Sequence, residues 1–420
     1  MKRIIYFIST VIIICSLFAI TGCSNNQQNS GFMRAEDSPD GYAAVYLPDG
    51  GAIKIVQLTD IHLEYFLGTD ESLWHTNGIA GDNASTIAML DKMLAALEPD
   101  LIIITGDALR TWTRDNFTEY RQLAEIFESR NIPWMPIFGN HEFEYSCEAY
   151  QHTPEQLAEA LIEYPHCLMS KGDCADGVGN YFVNIKDKNQ NIIYTLCALD
   201  CVFDRKYDTG GIAEGWSYIR TDAQIEWYER HIRAISALQY GKKSAAVIPS
   251  MAFMHTPVPE VLTAWESAWN GGNPTAAYHY GRLLTGKSTY QNYMGEDAFF
   301  NKAVELGSTK AMFFGHHHDN DFSVDYQGIR LTAGQMSTNN MDYRIGSTLS
   351  GLKFTEYDFT RLLTYGDNRG VTEIALTASG EFTITPRYAR VVCEDYVCWA
   401  TDYDAVIQKL IKRGITVTIE

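Results

Sequence analysis

The stretch AMFFGHHHDND, residues 311–321, places three consecutive histidines directly after a short apolar run and a glycine. An apolar run bounded by glycine is typical of the end of a buried strand. Other apolar runs along the chain also end in residues that can bind metal. Together these residues are Asp60, His62, Asp107, Asn140, His141, His255, His316 and His318.

The apolar runs alternate with helical patterns in the first part of the chain. Residues 52–60, 100–107 and 134–141 have the composition of buried strands, and residues 86–97 and 119–129 between them have helical spacing. This alternation predicts the parallel sheet of an α/β fold. Ligand sites of such sheets lie outside the carboxyl ends of the strands, so we expect the polar residues there to converge on one crevice.

The composition of the chain excludes several classes of protein. With 420 residues, 46% hydrophobic and 20% charged, it has the composition of a globular protein with a sizeable core. The formal net charge of −19 repels phosphate backbones, so we expect no nucleic acid as a stable partner. Nothing in the sequence indicates an oligomeric state.

The N-terminus has the pattern of a targeting segment. Lys2 and Arg3 precede a nearly continuous apolar run, and Ile20-Thr21-Gly22-Cys23 resembles the lipobox of bacterial lipoproteins, whose cysteine is lipidated. The alternative is an uncleaved membrane anchor. Residues 1–23 are thus predicted to be a signal peptide, 24–45 a polar tether and 46–420 one domain. Either alternative places that domain outside the cytoplasm, on the cell surface or the periplasmic face.

Seven cysteines remain after Cys15 and Cys23 are set aside. In an oxidising compartment, neighbours in sequence are candidates for disulfides, and Cys147 would be left over. The candidate pairs are Cys167/Cys174, Cys197/Cys201 and Cys393/Cys398. None has the spacing of a zinc–thiolate site, so we interpret these cysteines as structural.

The residues at the ends of the apolar runs offer oxygen and imidazole ligands without thiolate, which suits Mn, Fe or Zn. Leaving His141 aside, seven candidates are too many for one ion, since one metal needs only about four ligands. They suit two metals that share a carboxylate. Two such metals can share a bridging hydroxide that attacks the phosphorus of a phosphoryl group held beside it.

The ordered set D-x-H, GD, GNHE, H and GHxH resembles the motifs of the calcineurin-like metallophosphoesterase superfamily, over about residues 53–334. The segments FFGH, NDF and GIRLTAG look like its purple-acid-phosphatase-related branch. The resemblance implies a four-layer α/β/β/α sandwich, in which helices flank two mixed sheets, and a dinuclear metal centre. The implied substrate is a small phosphorylated molecule.

The resemblance also implies a role for each motif residue. Asp60, His62, Asp107 and His318 would hold the first metal, and Asp107 would bridge to the second. Asn140, His255 and His316 would complete the second site. His141 would donate to the phosphate or protonate the leaving oxygen.

One position departs from the purple acid phosphatases. Their tyrosine ligand, three residues after the Gly-Asp aspartate, is replaced by Arg110, so Fe³⁺ is less favoured here. Arg110, Arg282 and Arg344 are candidate substrate-binding residues, although solvent exposure is the default for each. We expect His317 to point away from the metals. Glu142 either orients a neighbour or is a solvated loop residue.

Three functions fit these residues. A phosphatase is favoured over a phosphodiesterase, because a long excursion at residues 265–297 can close a pocket around a small monoester. Its Trp265, Trp269 and Tyr278 either stack on substrate or pack on one another. The third reading is a catalytically silent surface lipoprotein that uses the fold for binding.

Overall fold

The computed structural model describes residues 31–49, 51–63, 83–109, 116–142, 152–203, 218–270, 273–283, 298–318, 320–338 and 369–393. Several predictions lie outside these residues. They concern the leader at 1–23 with Cys23, the substrate candidates Arg110 and Arg344, Cys147, and the pairing of Cys398.

The described strands, in chain order, are β1 Phe32–Met33, β2 Ala43–Tyr46, β3 Ala52–Leu58, β4 Leu101–Thr105, β5 Trp134–Ile137, β6 Tyr181–Lys186, β7 Ile192–Leu199, β8 Val202–Phe203, β9 Tyr218–Ile219, β10 Ser250–Met254, β11 Ala276–Tyr280, β12 Thr309–Phe314, β13 Ser323–Tyr326, β14 Ile329–Ala333, β15 Gly370–Thr377 and β16 Phe382–Tyr388. The described helices are α1 Asn83–Leu97, α2 Asn116–Glu128, α3 Pro154–Ile162, α4 Asp222–Tyr240, α5 Val261–Asn270, α6 Phe299–Leu306 and α7 Ala389–Val392, with a 3-10 turn at Ala35–Asp37.

Local sequence explains several helix ends. Thr221 caps α4 by accepting from the backbone of Gln224, whose side chain in turn accepts from the backbone of Thr221. Thr153 and Gln156 form the same capping box at α3. Helix α6 ends at Gly307, which has a left-handed φ of 65° that glycine adopts without strain.

Fourteen of the described strands form two mixed sheets, and β8 and β9 pair antiparallel as a separate two-stranded sheet. Nine strands follow the order β1-β2-β6-β7-β10-β12-β14-β13-β11, and five follow β16-β15-β3-β4-β5. In the nine-stranded sheet, β7, β10, β12 and β14 are mutually parallel. In the five-stranded sheet, β3, β4 and β5 are parallel and β15 is antiparallel to β3.

The packing of the nine-stranded sheet follows the alternation of side chains along its strands. Met251 and Phe253 of β10 face the core shared with the five-stranded sheet, helices α1 and α2. Ala252 and Met254 face the second core, which α4, α5 and α6 cover. The predicted α/β class, with two mixed sheets flanked by helices, is confirmed.

The two sheets are joined beside the ends of their parallel strands. The segment after β14 crosses to β3, where the Ser337 N–H donates to the Thr59 carbonyl at 2.8 Å. The buried Gln57 amide donates to the Phe314 carbonyl of β12 at 3.1 Å. These contacts bring the chain leaving β3 close to the chain leaving β12.

The folded region begins earlier in the chain than the sequence predicted. The tether was expected to reach residue 45, but β1 and β2 extend the nine-stranded sheet, with β2 parallel to β6. Lys186 on β6 pairs with Asp40 at 2.8 Å just before β2. The run Ala43–Tyr46 is long enough to join an existing edge, although too short to be recognised from its sequence pattern.

Two predicted disulfides are wrong, because Cys167, Cys174, Cys197 and Cys201 are free thiols. Cys197 lies within β7 and Cys201 lies just beyond it, and four extended residues span about 13 Å, too far for a disulfide. Cys167 is buried in the core between the sheets, whereas Cys174 packs against the core under α4.

The predicted excursion at 265–297 is more regular than expected in its first part, where α5 and the edge strand β11 lie. Trp265 and Trp269 stack on each other with centroids 5.6 Å apart, and Tyr278 packs edge-on against Trp269 at 5.6 Å. These rings therefore pack together, although Trp269 is 65% exposed.

Within the described ranges, no helix combines the length and the apolar character that crossing a bilayer requires.

Candidate metal centre

The candidate ligands lie on the loops that follow five strands, three in the five-stranded sheet and two in the nine-stranded sheet. Asp60 and His62 follow β3, Asp107 follows β4, Asn140 follows β5, His255 follows β10, and His316 and His318 follow β12. The first two loops also pair with each other. The N–H of Asp60 donates to the Gly106 carbonyl at 3.1 Å, and the N–H of His62 donates to the Asp107 carbonyl at 3.0 Å.

The backbone of four candidate ligands is left-handed. The φ angles are 52° at Asp60 and His62, 50° at Asp107 and 71° at His316. Residues other than glycine avoid this region, at a cost of about 1–3 kcal/mol each, and such strain clusters at functional sites. The surrounding structure therefore holds the backbone in this conformation, and the conformation sets the direction in which each side chain leaves the loop.

Two glycines of the motifs are required by close approach to the site. A Cβ at Gly139 would lie 2.2 Å from Oδ1 of Asp107, and one at Gly315 would lie 1.9 Å from Oγ1 of Thr59. Both distances are far inside van der Waals contact. The glycines of GNHE and GHxH thus let the loops after β5 and β12 approach those after β4 and β3.

The first group of ligands contains Asp60, His62, Asp107 and His318. One ligand atom from each lies within 4.8 Å of those of the others. Nε2 of His62 and Nε2 of His318 are 2.9 Å apart, and Nε2 of His318 is 3.3 Å from Oδ1 of Asp60. Four oxygen and nitrogen donors at this spacing can hold one metal ion.

The second group contains Asp107, His255 and His316, again within 4.8 Å of one another. Oδ1 of Asn140 lies 3.0 Å from both Nε2 of His255 and Nδ1 of His316. Asp107 belongs to both groups. The structure therefore brings the seven sequence-predicted ligands together as two adjacent sets that share one carboxylate.

The hydrogen bonding of His255 shows that this arrangement suits a cation. Its Nδ1 lies 2.9 Å from the Thr105 carbonyl, so Nδ1 carries a proton and Nε2 is the nitrogen directed into the site. This Nε2 faces the carboxylate oxygen Oδ2 of Asp107 at 3.1 Å and the amide oxygen of Asn140. Electron-rich atoms facing one another in a buried site are stabilised by a positive charge between them.

The pKa shifts show that the site favours a positive charge beside the Asp107 carboxylate. Burial would raise the pKa of Asp107, but the imidazoles of His255, His141 and His62 outweigh it and hold the pKa well below the usual range. Burial would lower the pKa of His255, but Asp107 outweighs it and raises the pKa to about 10. Burial and neighbouring histidines lower the pKa of His316, which keeps that imidazole neutral, as a metal ligand must be.

His141 lies at the rim of the two groups. Its Nε2 is 3.8 Å from Oδ2 of Asp107, and its side chain is 16% exposed, whereas that of Asp107 is buried. Its own backbone N–H donates to Oδ1 of Asp107 at 2.9 Å. His141 can therefore reach a molecule that enters the crevice while its backbone fixes the shared carboxylate.

Two other residues near the motifs have different positions. His317 belongs to neither ligand group. Glu142, for which the sequence left two readings open, is fully buried and accepts three backbone hydrogen bonds. It is therefore not a solvated loop residue. The signal for its role was its place directly after the GNH motif.

Arg282 is the one substrate-binding candidate within the described residues. It is exposed, and its backbone N–H donates to Oδ1 of Asp321 at 2.9 Å, three residues after His318. Burial raises the pKa of Asp321, and the guanidinium of Arg282 offsets part of that rise. Arg282 thus lies close in the fold to the loop that carries His316 and His318.

The chain is similar to several known proteins. It is 26% identical to "Probable inactive purple acid phosphatase 29" of Arabidopsis thaliana over 68% of this chain and 71% of the relative. It is 29% identical to "Phosphatase DCR2" of Saccharomyces cerevisiae over 66% of this chain. That alignment covers only 46% of the yeast protein.

Solved structures also align with the chain. A dimetal phosphatase from Danio rerio aligns over 80% of this chain and 96% of its own, at 10% identity and a TM-score of 0.44. The model of the calcineurin-like phosphoesterase family matches residues 53–320, a span that contains every candidate ligand. The chain belongs to the calcineurin-like phosphoesterase family.

Proposed function

We propose that this protein is a dinuclear metal-dependent phosphoesterase that hydrolyses phosphate monoesters. Family membership makes hydrolysis of phosphoesters the reaction class. The observation that carries the dinuclear proposal is the position of Asp107, which belongs to two adjacent groups of buried ligand atoms. Oxygen and imidazole ligands without thiolate suit Mn, Fe or Zn.

The chain's own residues would divide the work. When bound, two metals supply activation of water and neutralisation of phosphate charge. Asp60, His62 and His318 would hold one of them, Asn140, His255 and His316 the other, and Asp107 both. His141, at the exposed rim, would donate a proton to the phosphate or to the leaving oxygen, a step for which an imidazole is suited near neutral pH.

Two observations support a small monoester as the substrate. The yeast relative at 29% identity is named a phosphatase. Arg282, near the loop of His316 and His318, offers a cation to an anionic substrate on a chain whose net charge is −19. A phosphodiesterase with the same metal residues is the alternative within the same reaction class.

A catalytically silent binding protein is the second candidate function. It is favoured by one observation, that three Arabidopsis relatives are named as probable inactive purple acid phosphatases. Those names describe the relatives. Here both ligand groups are present with His141 beside them, which supports an active enzyme.

Metal content and activity of the purified protein test these alternatives together. We expect about two metals per chain after reconstitution with Mn, Fe or Zn, and faster hydrolysis of p-nitrophenyl phosphate than of bis-p-nitrophenyl phosphate. Preference for the diester would overturn the monoester assignment only. Folded protein that binds metal without hydrolysing either ester would support the silent reading, and failure to bind metal would overturn the dinuclear proposal.

We also propose that the protein is a bacterial lipoprotein, anchored outside the cytoplasm through Cys23. The support is the basic start, the apolar run and the lipobox-like residues 20–23. In a bacterial host, the wild type should incorporate a labelled fatty acid and Cys23→Ser should not. A membrane-bound protein that carries no label would favour the uncleaved anchor.

A further inference from the structure

The Glu142 carboxylate connects two loops of the metal centre. Its Oε2 accepts hydrogen bonds from the backbone N–H groups of Gly139 at 2.7 Å and Asp107 at 3.1 Å. Its Oε1 accepts from the N–H of Leu109 at 3.1 Å. The side chain is fully buried, so solvent does not weaken these bonds.

The connection is reciprocal. The Glu142 carboxylate binds the backbone of Asp107, and the Asp107 carboxylate binds the backbone of His141 through Oδ1 at 2.9 Å. Each loop thus presents a carboxylate to the main chain of the other. Close approach at Gly139 leaves no room for the loops to slide, because even a Cβ there would collide with Asp107.

We infer that Glu142 is a positioning residue for the metal centre, and this inference rests on the proposed function. By fixing the left-handed backbone of Asp107, Glu142 sets the direction of the one carboxylate that both ligand groups share. By binding Gly139, it also sets the position of the following Asn140. Its loss should therefore weaken both groups together.

Glu128 provides a matched control. Its carboxylate also accepts three hydrogen bonds, from Nε1 of Trp134 at 2.8 Å, from the N–H of His166 at 3.1 Å and from Nδ1 of His166 at 2.6 Å. It contacts none of the candidate ligands. Glu128→Gln therefore measures what the loss of a structural carboxylate does to folding alone.

The experiment compares wild type, Glu142→Gln, Glu142→Asp and Glu128→Gln in three measurements. These are metal affinity by chelator competition, kcat and KM for p-nitrophenyl phosphate, and amide hydrogen exchange of the metal-free protein. Glutamine keeps the size of Glu142 but turns one acceptor into a donor facing an N–H group. We expect Glu142→Gln to weaken metal affinity about 10- to 100-fold and to speed exchange at residues 107–109 and 139.

Glu142→Asp should restore part of the affinity, and Glu128→Gln should lower the melting temperature with metal affinity unchanged. If Glu142→Gln does not fold, Glu142→Asp decides, and we expect it to show faster exchange and weaker metal binding than wild type. Equal metal affinity and exchange in wild type and the Glu142 variants would overturn the inference. A wild type that binds no metal would instead overturn the proposed function.

Discussion

Two clusters of histidine and carboxylate among the described residues differ in how their hydrogen bonds are arranged. In the candidate metal centre, Nε2 of His255 faces Oδ2 of Asp107 at 3.1 Å, while Nδ1 is directed at the Thr105 carbonyl. In the second cluster, which we call the surface network, His231 joins Tyr42 to Asp173. Its Nδ1 lies 2.8 Å from the Tyr42 hydroxyl, and its Nε2 lies 2.8 Å from Oδ1 of Asp173.

The surface network pairs each donor with an acceptor. Asp173 also accepts from Nε1 of Trp227 at 2.7 Å and from Arg230 at 2.9 Å. Tyr42 directly precedes β2 and His231 lies on α4, so the network connects the N-terminal strands to α4. The difference teaches that proximity of histidine and aspartate does not identify a metal site. Ligand atoms from several loops that converge on one point, as they do around Asp107, are the stronger signal.

The largest expected effect comes from Asp107→Asn. An amide in place of the shared carboxylate removes charge from both ligand groups, so metal binding and turnover should both be lost. Metal analysis and the p-nitrophenyl phosphate assay check this. Asp173→Asn in the surface network is the matched control and should keep both. An equal loss of activity in both variants would contradict the claim that the metal-binding role belongs to the Asp107 cluster and not to the surface network.

His141→Ala should keep both metals and lower turnover by about 10²- to 10⁴-fold, because it removes a proton donor without removing a ligand. His231→Ala should leave turnover unchanged. The measurement is kcat at saturating substrate, with metal content determined on the same samples. An unchanged kcat in His141→Ala would contradict the role assigned to His141.

Tyr42→Phe removes one hydrogen bond of the surface network and leaves its ring in place. The free energy of unfolding should fall by about 0.5–1.5 kcal/mol, the usual contribution of such a bond. Denaturant titration measures this, and kcat should not change. A loss of metal in this variant would show that the two clusters are coupled.

The smallest expected effect concerns pH. Burial lowers the pKa of His231 more than Asp173 raises it, so the folded state binds fewer protons there than the unfolded state. That contribution to stability is present above the unfolded pKa of about 6.5 and is lost as pH falls below this value and through the lower pKa of the folded state. Melting temperatures at about pH 7.5 and about pH 5.5 should therefore differ less in His231→Gln than in wild type. An identical difference would contradict the assignment.

The sequence predicted the interior strands and the ligands at their ends because apolar runs such as Leu101–Thr105 are buried on both faces and end at motif residues. It missed or misjudged the edges of the nine-stranded sheet. Strands β1, β2 and β11 are short or partly exposed, so their pattern is weak and neighbouring strands decide their structure.

Other features depended on loop geometry that local patterns do not encode. Glu142 follows His141 in sequence, but its three donors come from residues up to 35 positions away. The left-handed backbone at Asp60 and His316 arises from contacts between loops, such as the His316 N–H donating to the Asp60 carboxylate at 3.0 Å. The sequence therefore predicted which residues meet, while the hydrogen bonds that orient them emerged only in the fold.

Because Asp107 belongs to both ligand groups, two metals bound by these groups would be thermodynamically linked. A cation in one position partly neutralises the carboxylate that the other position needs, and it repels the second cation. The same coupling free energy acts in both directions, so neither position has an affinity of its own. A metal titration should therefore give two macroscopic binding steps that describe the pair, with the second weaker than the first.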